Sequence, residues 1–156
     1  PCFAEIPIPK AHLPKCKRLL VLDGVSDPGN LGTLMRTALA LGWEGIFLLP
    51  GCADPFQGKV IRASKGAIFK IPYQKGSWEE LLKMPLTFIG ADLAGNVPKN
   101  GQEENLALVL GNEGQGLSKQ ARKHCTLVSL PMKGEMESLN VAVAGGILMY
   151  IMRPYG

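Results

Sequence analysis

One carboxylate stands among three glycines in Leu108-Val-Leu-Gly-Asn-Glu-Gly-Gln-Gly-Leu-Ser118. Val109 and Leu110 read as the end of a buried strand. Gly111, Gly114 and Gly116 lack a Cβ, so the backbone there can turn sharply and approach a ligand closely. Ser118 reads as the N-cap of a short helix over 119–124. Strand, glycine turn and helix in this order form the crevice at the carboxyl edge of an α/β sheet, where ligands bind. The same residues would also serve a tight turn that only joins two elements. Glu113 likewise has a structural role open to it, as a carboxylate stabilised by exposed amides near a helix N-terminus.

Two further blocks place polar side chains after strand ends. Residues 23–42 read as a strand end, a loop and a helix, and hold Asn30 and Arg36. Residues 130–144 read as a strand end, a turn and the start of a terminal helix, and hold Ser138 and Asn140. In the first helix Leu31, Leu34, Met35, Ala38 and Leu41 share one face. Arg36 lies off that stripe, free to reach a cleft or to sit on the surface. Ser138 is suited to N-cap the terminal helix, which is expected over 138–152.

The elements that position these blocks alternate between strand and helix. Apolar runs of strand length occur at 18–23, 45–49, 86–91 and 106–110. They are continuous rather than alternating, as parallel strands covered on both faces require. A helix is expected over 31–41 and a short one from Ser77 through Lys83, stopped by Pro85. Residues 95–101 read as a polar turn. The pattern predicts an α/β fold with a mostly parallel sheet flanked by helices. Residues 1–17, with prolines at 1, 7, 9 and 14 and no periodicity, read as an arm or linker preceding a domain over 18–156.

At 156 residues the chain suits one such domain, with no internal repeat and no second domain. A net charge of +4 and a pI near 9.0 admit a polyanionic partner without requiring one. Basic residues gather loosely at Lys10, Lys15, Lys17 and Arg18 and at Arg122, Lys123 and His124, where a solvated surface is the default reading. Cys2, Cys16, Cys52 and Cys125 form no CxxC pair and no ligand-like spacing with His12 or His124. Neither a metal site nor a disulfide framework is expected. The apolar run 141–152 is shorter than the roughly 20 residues that span a bilayer, and reads as a buried helix. With no signal peptide at the start, a soluble cytoplasmic or organellar protein in a reducing compartment is expected, not a secreted one.

The three blocks, in this order and at ordinary spacing, resemble the signature motifs of the SpoU (TrmH-type) RNA 2'-O-ribose methyltransferases of the SPOUT superfamily. The resemblance runs from about Arg18 to Pro154, nearly the whole chain. It implies an enzyme that moves a methyl from S-adenosylmethionine to a ribose 2'-hydroxyl of tRNA or rRNA. It also implies a deep C-terminal trefoil knot and a homodimer, with no metal and no membrane contact. The terminal helix is apolar nearly all round, which fits burial by its own sheet and by a partner.

By the same resemblance Asn30 and Arg36 lie at the RNA-facing side of the site. The family's matching arginine is proposed to activate the ribose hydroxyl. A guanidinium stays protonated, so the preferred role for Arg36 is to hold the target phosphate and stabilise alkoxide charge. The proton then goes to substrate phosphate or water. Glu113 would organise the site, with pairing to Arg36 as one route, and Asn140 would orient the ribose or Arg36. Ser138 has a contact to donor or RNA open to it besides its capping role. The donor would be held by backbone groups at Gly111, Leu130 and Leu139, with Leu110 and Met132 beside the adenine. For Leu130 and Leu139 ordinary core is the alternative. Departures from the family pattern are small: Ala142 stands where Ser is frequent, and Leu41 where an aromatic is common.

Two other functions compete. A dinucleotide site would need G-x-G-x-x-G after the first strand, whereas Gly-x-x-Gly-x-Gly follows a late one here. A catalytically silent RNA-binding or assembly module could share the fold. The joint presence of Asn30, Arg36, Glu113, Ser138 and Asn140 favours the enzyme.

Overall fold

In the computed structural model, which describes residues 5–98, 103–135 and 137–154, the whole run Arg18-Leu-Leu-Val-Leu-Asp23 is buried. Leu20 and Leu22 join one apolar cluster and Leu19 and Val21 another, so each face of the strand meets its own core. That two-sided burial is why the run shows no polar alternation.

This strand, β1 (Arg18–Asp23), leads into α1 (Pro28–Ala40), β2 (Gly45–Leu48), α2 (Gly58–Ser64) and a single 3-10 turn (Ala67–Phe69). There follow β3 (Tyr73–Lys75), α3 (Trp78–Leu81), β4 (Thr87–Asn96) and β5 (Leu106–Gly111). The chain ends with α4 (Lys119–His124), β6 (Thr126–Val128) and α5 (Val141–Ile151). The sheet has six strands in the order β3-β2-β1-β5-β4-β6, and every pair is parallel. The cores place α1, α2 and α5 on one face and α3 and α4 on the other. The expected architecture is the observed one.

From β1 the chain steps outward to β2 and β3, while β5, β4 and β6 lie on the other side. The seam between β1 and β5 is therefore a topological switch point, where α/β sheets bind ligands. Asp23 and Gly111 end the two strands as register partners. Buried Arg18 anchors the opposite end: its Nε donates to the Met152 carbonyl at 3.0 Å and its Nη1 to that of Glu104 at 2.8 Å.

Helix boundaries follow their caps. The first helix begins at Pro28 rather than Leu31, because Asp27 caps it, accepting from Asn30 N at 2.8 Å, and Pro suits the first helical position. Ser118 caps α4 as expected, accepting from Ala121 N at 3.2 Å. Ser77 caps α3 in a capping box, though the helix covers only Trp78–Leu81. The terminal helix corrects the expectation for Ser138. Its N-cap is Asn140, whose Oδ1 accepts from Ala142 N at 2.8 Å and Val143 N at 3.2 Å. Ser138, two residues too early to reach those amides, is exposed in the preceding loop.

β4 is longer than expected and runs to Asn96, into the segment read as a turn. It is carried there by pairing with β6 across an irregularity at which Ala91 and Asn96 both face Val128. Val97 and Pro98 follow it without helix or strand, and the rest of that turn reading, 99–101, lies outside the described residues. Residues 5–17 form no helix or strand, but Tyr73 Oη donates to the Pro9 carbonyl at 3.0 Å and His12 makes an isolated bridge to Tyr73. Cys16, Cys52 and Cys125 are free thiols. Burial pushes the Cys16 thiol up to about 11, helped by Glu44, and that of Cys125 up to about 12, helped by Asp23. Among the described residues no helix is long and apolar enough to cross a membrane.

Candidate active site

The glycine turn after β5 closes on itself. Asn112 N donates to the Gly116 carbonyl at 3.0 Å and Gly116 N to that of Asn112 at 2.9 Å. A Cβ at Gly111 would overlap the Gly116 backbone, so only glycine lets the turn fold back this tightly. The Asn112 side chain holds the turn from both ends. Its Oδ1 accepts from Gly114 N and Gln115 N at 2.9 and 3.0 Å, and its Nδ2 donates to the Gly24 carbonyl at 2.8 Å. Asp23, buried at the end of β1, accepts from Ser118 N at 2.8 Å. The first and second blocks are thus stitched together at the β1–β5 seam.

Glu113 completes the stitching. Its Oε2 accepts from Ser26 N at 3.2 Å and Ser26 Oγ at 3.3 Å; its Oε1 accepts from Asp27 N at 3.0 Å and Asn30 Nδ2 at 3.3 Å. Partial burial pushes this carboxyl up. Hydrogen bonds from its own backbone N–H, those of Asp27 and Ser26 and the Asn30 amide outweigh that and hold it below the ordinary carboxylate range. Asn30 in turn accepts from Asn140 Nδ2 at 3.0 Å. The polarity of this relay is forced. Asn140 Oδ1 is committed to the first amides of α5, so its nitrogen faces Asn30, and Asn30 must turn its own nitrogen to Glu113.

The relay stands at the rim of a cleft of about 710 Å³. Gly111, Leu110, Leu130, Met132 and Leu139 all line it, as do Asn30, Glu113, Ser138 and Asn140. One wall carries an ion pair absent from the sequence reading, Arg122 Nη1 to Asp92 Oδ2 at 2.7 Å. Among the described residues no group of three or more His, Cys, Asp or Glu side chains is placed to hold a metal.

Arg36 lies elsewhere. It is exposed, does not line the cleft, and sits about 120° round α1 from Asn30, six residues on at roughly 100° each. Glu113 bonds Ser26, Asp27 and Asn30, and the pairing with Arg36 that was open to it is not formed. Asp23, Asp27, Asn112 and the Asp92–Arg122 pair were missed as site residues. Asp27 before Pro28 carries the helix-start signature that would have found it. The others depend on which strand ends become neighbours.

A family model described as the SpoU rRNA Methylase family matches residues 17–150. The 23S rRNA (guanosine(2553)-2'-O)-methyltransferase RlmP of Bacillus subtilis is 38% identical over 154 residues, covering 94% of this chain and 62% of that protein. The 23S rRNA (guanosine-2'-O-)-methyltransferase RlmB of Xylella fastidiosa is 39% identical over 142 residues, covering 85% of this chain and 56% of that protein. The crystal structure of an AdoMet-bound rRNA methyltransferase from Sinorhizobium meliloti aligns with a TM-score of 0.82 at 33% identity, over 90% of this chain and 57% of that one. The chain therefore spans between 56% and 62% of the length of these relatives. Three sequence blocks meeting at one sheet edge, and a family match that takes in all three, show that the chain belongs to the SpoU rRNA Methylase family.

Proposed function

We propose that this chain transfers a methyl group from S-adenosylmethionine to a ribose 2'-hydroxyl of tRNA or rRNA. The observation that carries the reading is the relay from Asn140 through Asn30 to Glu113, which joins all three blocks beside an apolar cleft. The activities in the names of the relatives support it.

The cleft suits the donor. Its volume lies within the about 300–1,000 Å³ usual for small-molecule sites, and Leu110, Leu130, Met132 and Leu139 offer apolar walls to an adenine ring. Backbone groups at Gly111, Leu130 and Leu139 would hold its polar edge. Bound there, S-adenosylmethionine supplies an electrophilic methyl on a sulfonium. The protein's own task is to bring the ribose hydroxyl into line with it. Asn140 keeps one amide hydrogen beyond its bond to Asn30, and that hydrogen is available to the ribose. Glu113 fixes the Ser26–Asp27 backbone and the Asn30 amide, so the polar rim is set before RNA arrives. Ser138, released from capping, is available to donor or RNA. Arg36 holds the target phosphate and stabilises charge developing on the attacking oxygen.

Because Arg36 stands on the outside of α1, it serves the cleft of a second protomer. A homodimer has a surface ready for it: Val143, Ile147 and Tyr150 are 52%, 41% and 56% exposed and recur at helical spacing along α5. Residues 18–156 act as the catalytic domain with 1–17 as an arm or linker before it, and the family's trefoil knot belongs to the loops after β5 and β6. The bacterial rRNA methyltransferases among its relatives support a reducing setting, cytoplasmic or organellar.

The test is transfer of labelled methyl to rRNA and tRNA, with 2'-O-methyl positions mapped, beside calorimetric titration with S-adenosylhomocysteine. Site-specific transfer is expected. RNA binding without transfer would instead leave a silent binding module.

A further inference from the structure

The positive charge of this chain is concentrated. Residues 55–78 carry Lys59, Arg62, Lys65, Lys70 and Lys75 and no acid, while the remainder carries twelve basic against thirteen acidic side chains. The whole positive excess therefore falls on α2, the 3-10 turn and β3. All five side chains are exposed. Lys75 approaches Asp54 at 3.8 Å, but Lys59, Arg62, Lys65 and Lys70 have no ion pair among the described residues. Between Lys65 and Lys70 an aromatic ring also reaches solvent: Phe69 is 39% exposed, braced from beneath by Phe56 at 6.1 Å, which in turn meets Tyr73 at 5.6 Å.

This face adjoins the helix that bears Arg36. Gly32 of α1 has no room for a Cβ against Val60, Ala63 and Ser64 of α2. Arg36 comes one turn later on nearly the same side, so it rises along the α1–α2 seam.

We infer that the face formed by α2, the 3-10 turn and β3 is a docking surface for single-stranded or looped RNA. Lys59, Arg62, Lys65 and Lys70 take successive phosphates, and Phe69 stacks on an unpaired base. An evenly solvated surface would spread such charge among acids, and would not brace an exposed ring at its centre. The surface rests on the proposed RNA substrate and extends it: strand tracked along α2 is led to Arg36 and to the ribose it serves. It lies outside the cleft, so it acts on RNA affinity and leaves donor binding alone.

The experiment compares the wild-type chain with K59Q/R62Q/K65Q/K70Q, using a fluorescein-labelled RNA hairpin of mixed sequence titrated over a range of salt. Affinity at low salt should fall at least about tenfold. The slope of log affinity against log salt should shrink by about 3, at about 0.7 for each single-strand phosphate that is no longer neutralised. Donor affinity, titrated in parallel, should be unchanged. The two double variants, K59Q/R62Q and K65Q/K70Q, should each remove about half the slope change, so the test survives should the fourfold variant fold poorly. Phe69→Ala should weaken binding to the hairpin about tenfold with the salt slope unchanged. Donor-competent variants that keep wild-type RNA affinity and slope would overturn the docking surface. A wild-type chain that binds donor but no RNA would overturn the substrate reading itself.

Discussion

Asn140 Nδ2 lies 3.0 Å from Asn30 Oδ1, a bond between side chains 110 residues apart in the chain. Asn140 therefore does two things with one amide. Its oxygen caps α5 and its nitrogen fixes Asn30, which passes the orientation on to Glu113. Helix start and polar rim are one unit.

That double role can be split by substitution. Asn140→Asp keeps an oxygen to cap α5 but has nothing to donate to Asn30. It should leave thermal stability near wild type and lower methyl transfer at least about tenfold, the loss of one oriented hydrogen bond of about 1.4 kcal/mol. Asn140→Ala should also lose about 1 kcal/mol of stability with the cap. Equal losses of stability in the two variants, read by denaturant unfolding, would contradict the division of labour.

Glu113 should be visible in the acid limb of stability. Its carboxyl is held below the ordinary carboxylate range, so the folded chain binds this proton more weakly than the unfolded one. Stability from this group is then fully present above the unfolded value of about 4.3 and is lost as pH falls through the lower folded value. Glu113→Gln should flatten unfolding free energy against pH across that acid window. A profile as steep as wild type would show that the hydrogen bonds from Ser26, Asp27 and Asn30 do not favour the charged form.

The apolar stripe of α5 makes the oligomeric state testable. Ile147→Lys puts a charge in the middle of Val143, Ile147 and Tyr150, which a twofold interface would have to bury. Sedimentation should show a dimer for wild type and a monomer with native circular dichroism for the variant. A wild-type monomer at micromolar concentration would remove the second protomer from the mechanism.

The parts legible in the sequence were those where local pattern and tertiary role coincide. β1 and β5 are buried from end to end because both faces are covered, and Ser118 caps α4 as its spacing from the helix predicts. β3 and β6 were not legible: each has three residues and only one buried, so no run exists to read. They are strands because β2 and β4 offer them an edge. Ser138 and Asn140 are both good caps two residues apart, and the start of α5 at Val141 puts only Asn140 within reach of the first amides. Asn30, Glu113 and Asn140 were found through family motifs. Their bonding order depends on β1 and β5 being neighbours, which no local signal carries.

Arg36 gives the sharpest test of the mechanism, because the structure separates it from the cleft it is meant to serve. Arg36→Ala should leave donor affinity almost unchanged and nearly abolish transfer. Removing a preorganised charged group from a catalytic site typically costs about 2.7–4 kcal/mol, or roughly 100- to 1,000-fold in rate. Arg36→Lys should rescue poorly, since a point charge cannot reproduce a planar two-pronged grip on phosphate. Its place outside α1 adds a stricter expectation. Mixing Arg36→Ala chains with chains disabled at Glu113 should restore part of the activity, because one cleft of the mixed dimer then has an intact rim and an intact arginine. The activity of the mixture, measured against each variant alone, decides the point. No recovery, with mixed dimers demonstrated, would mean that Arg36 works in its own protomer or not at all.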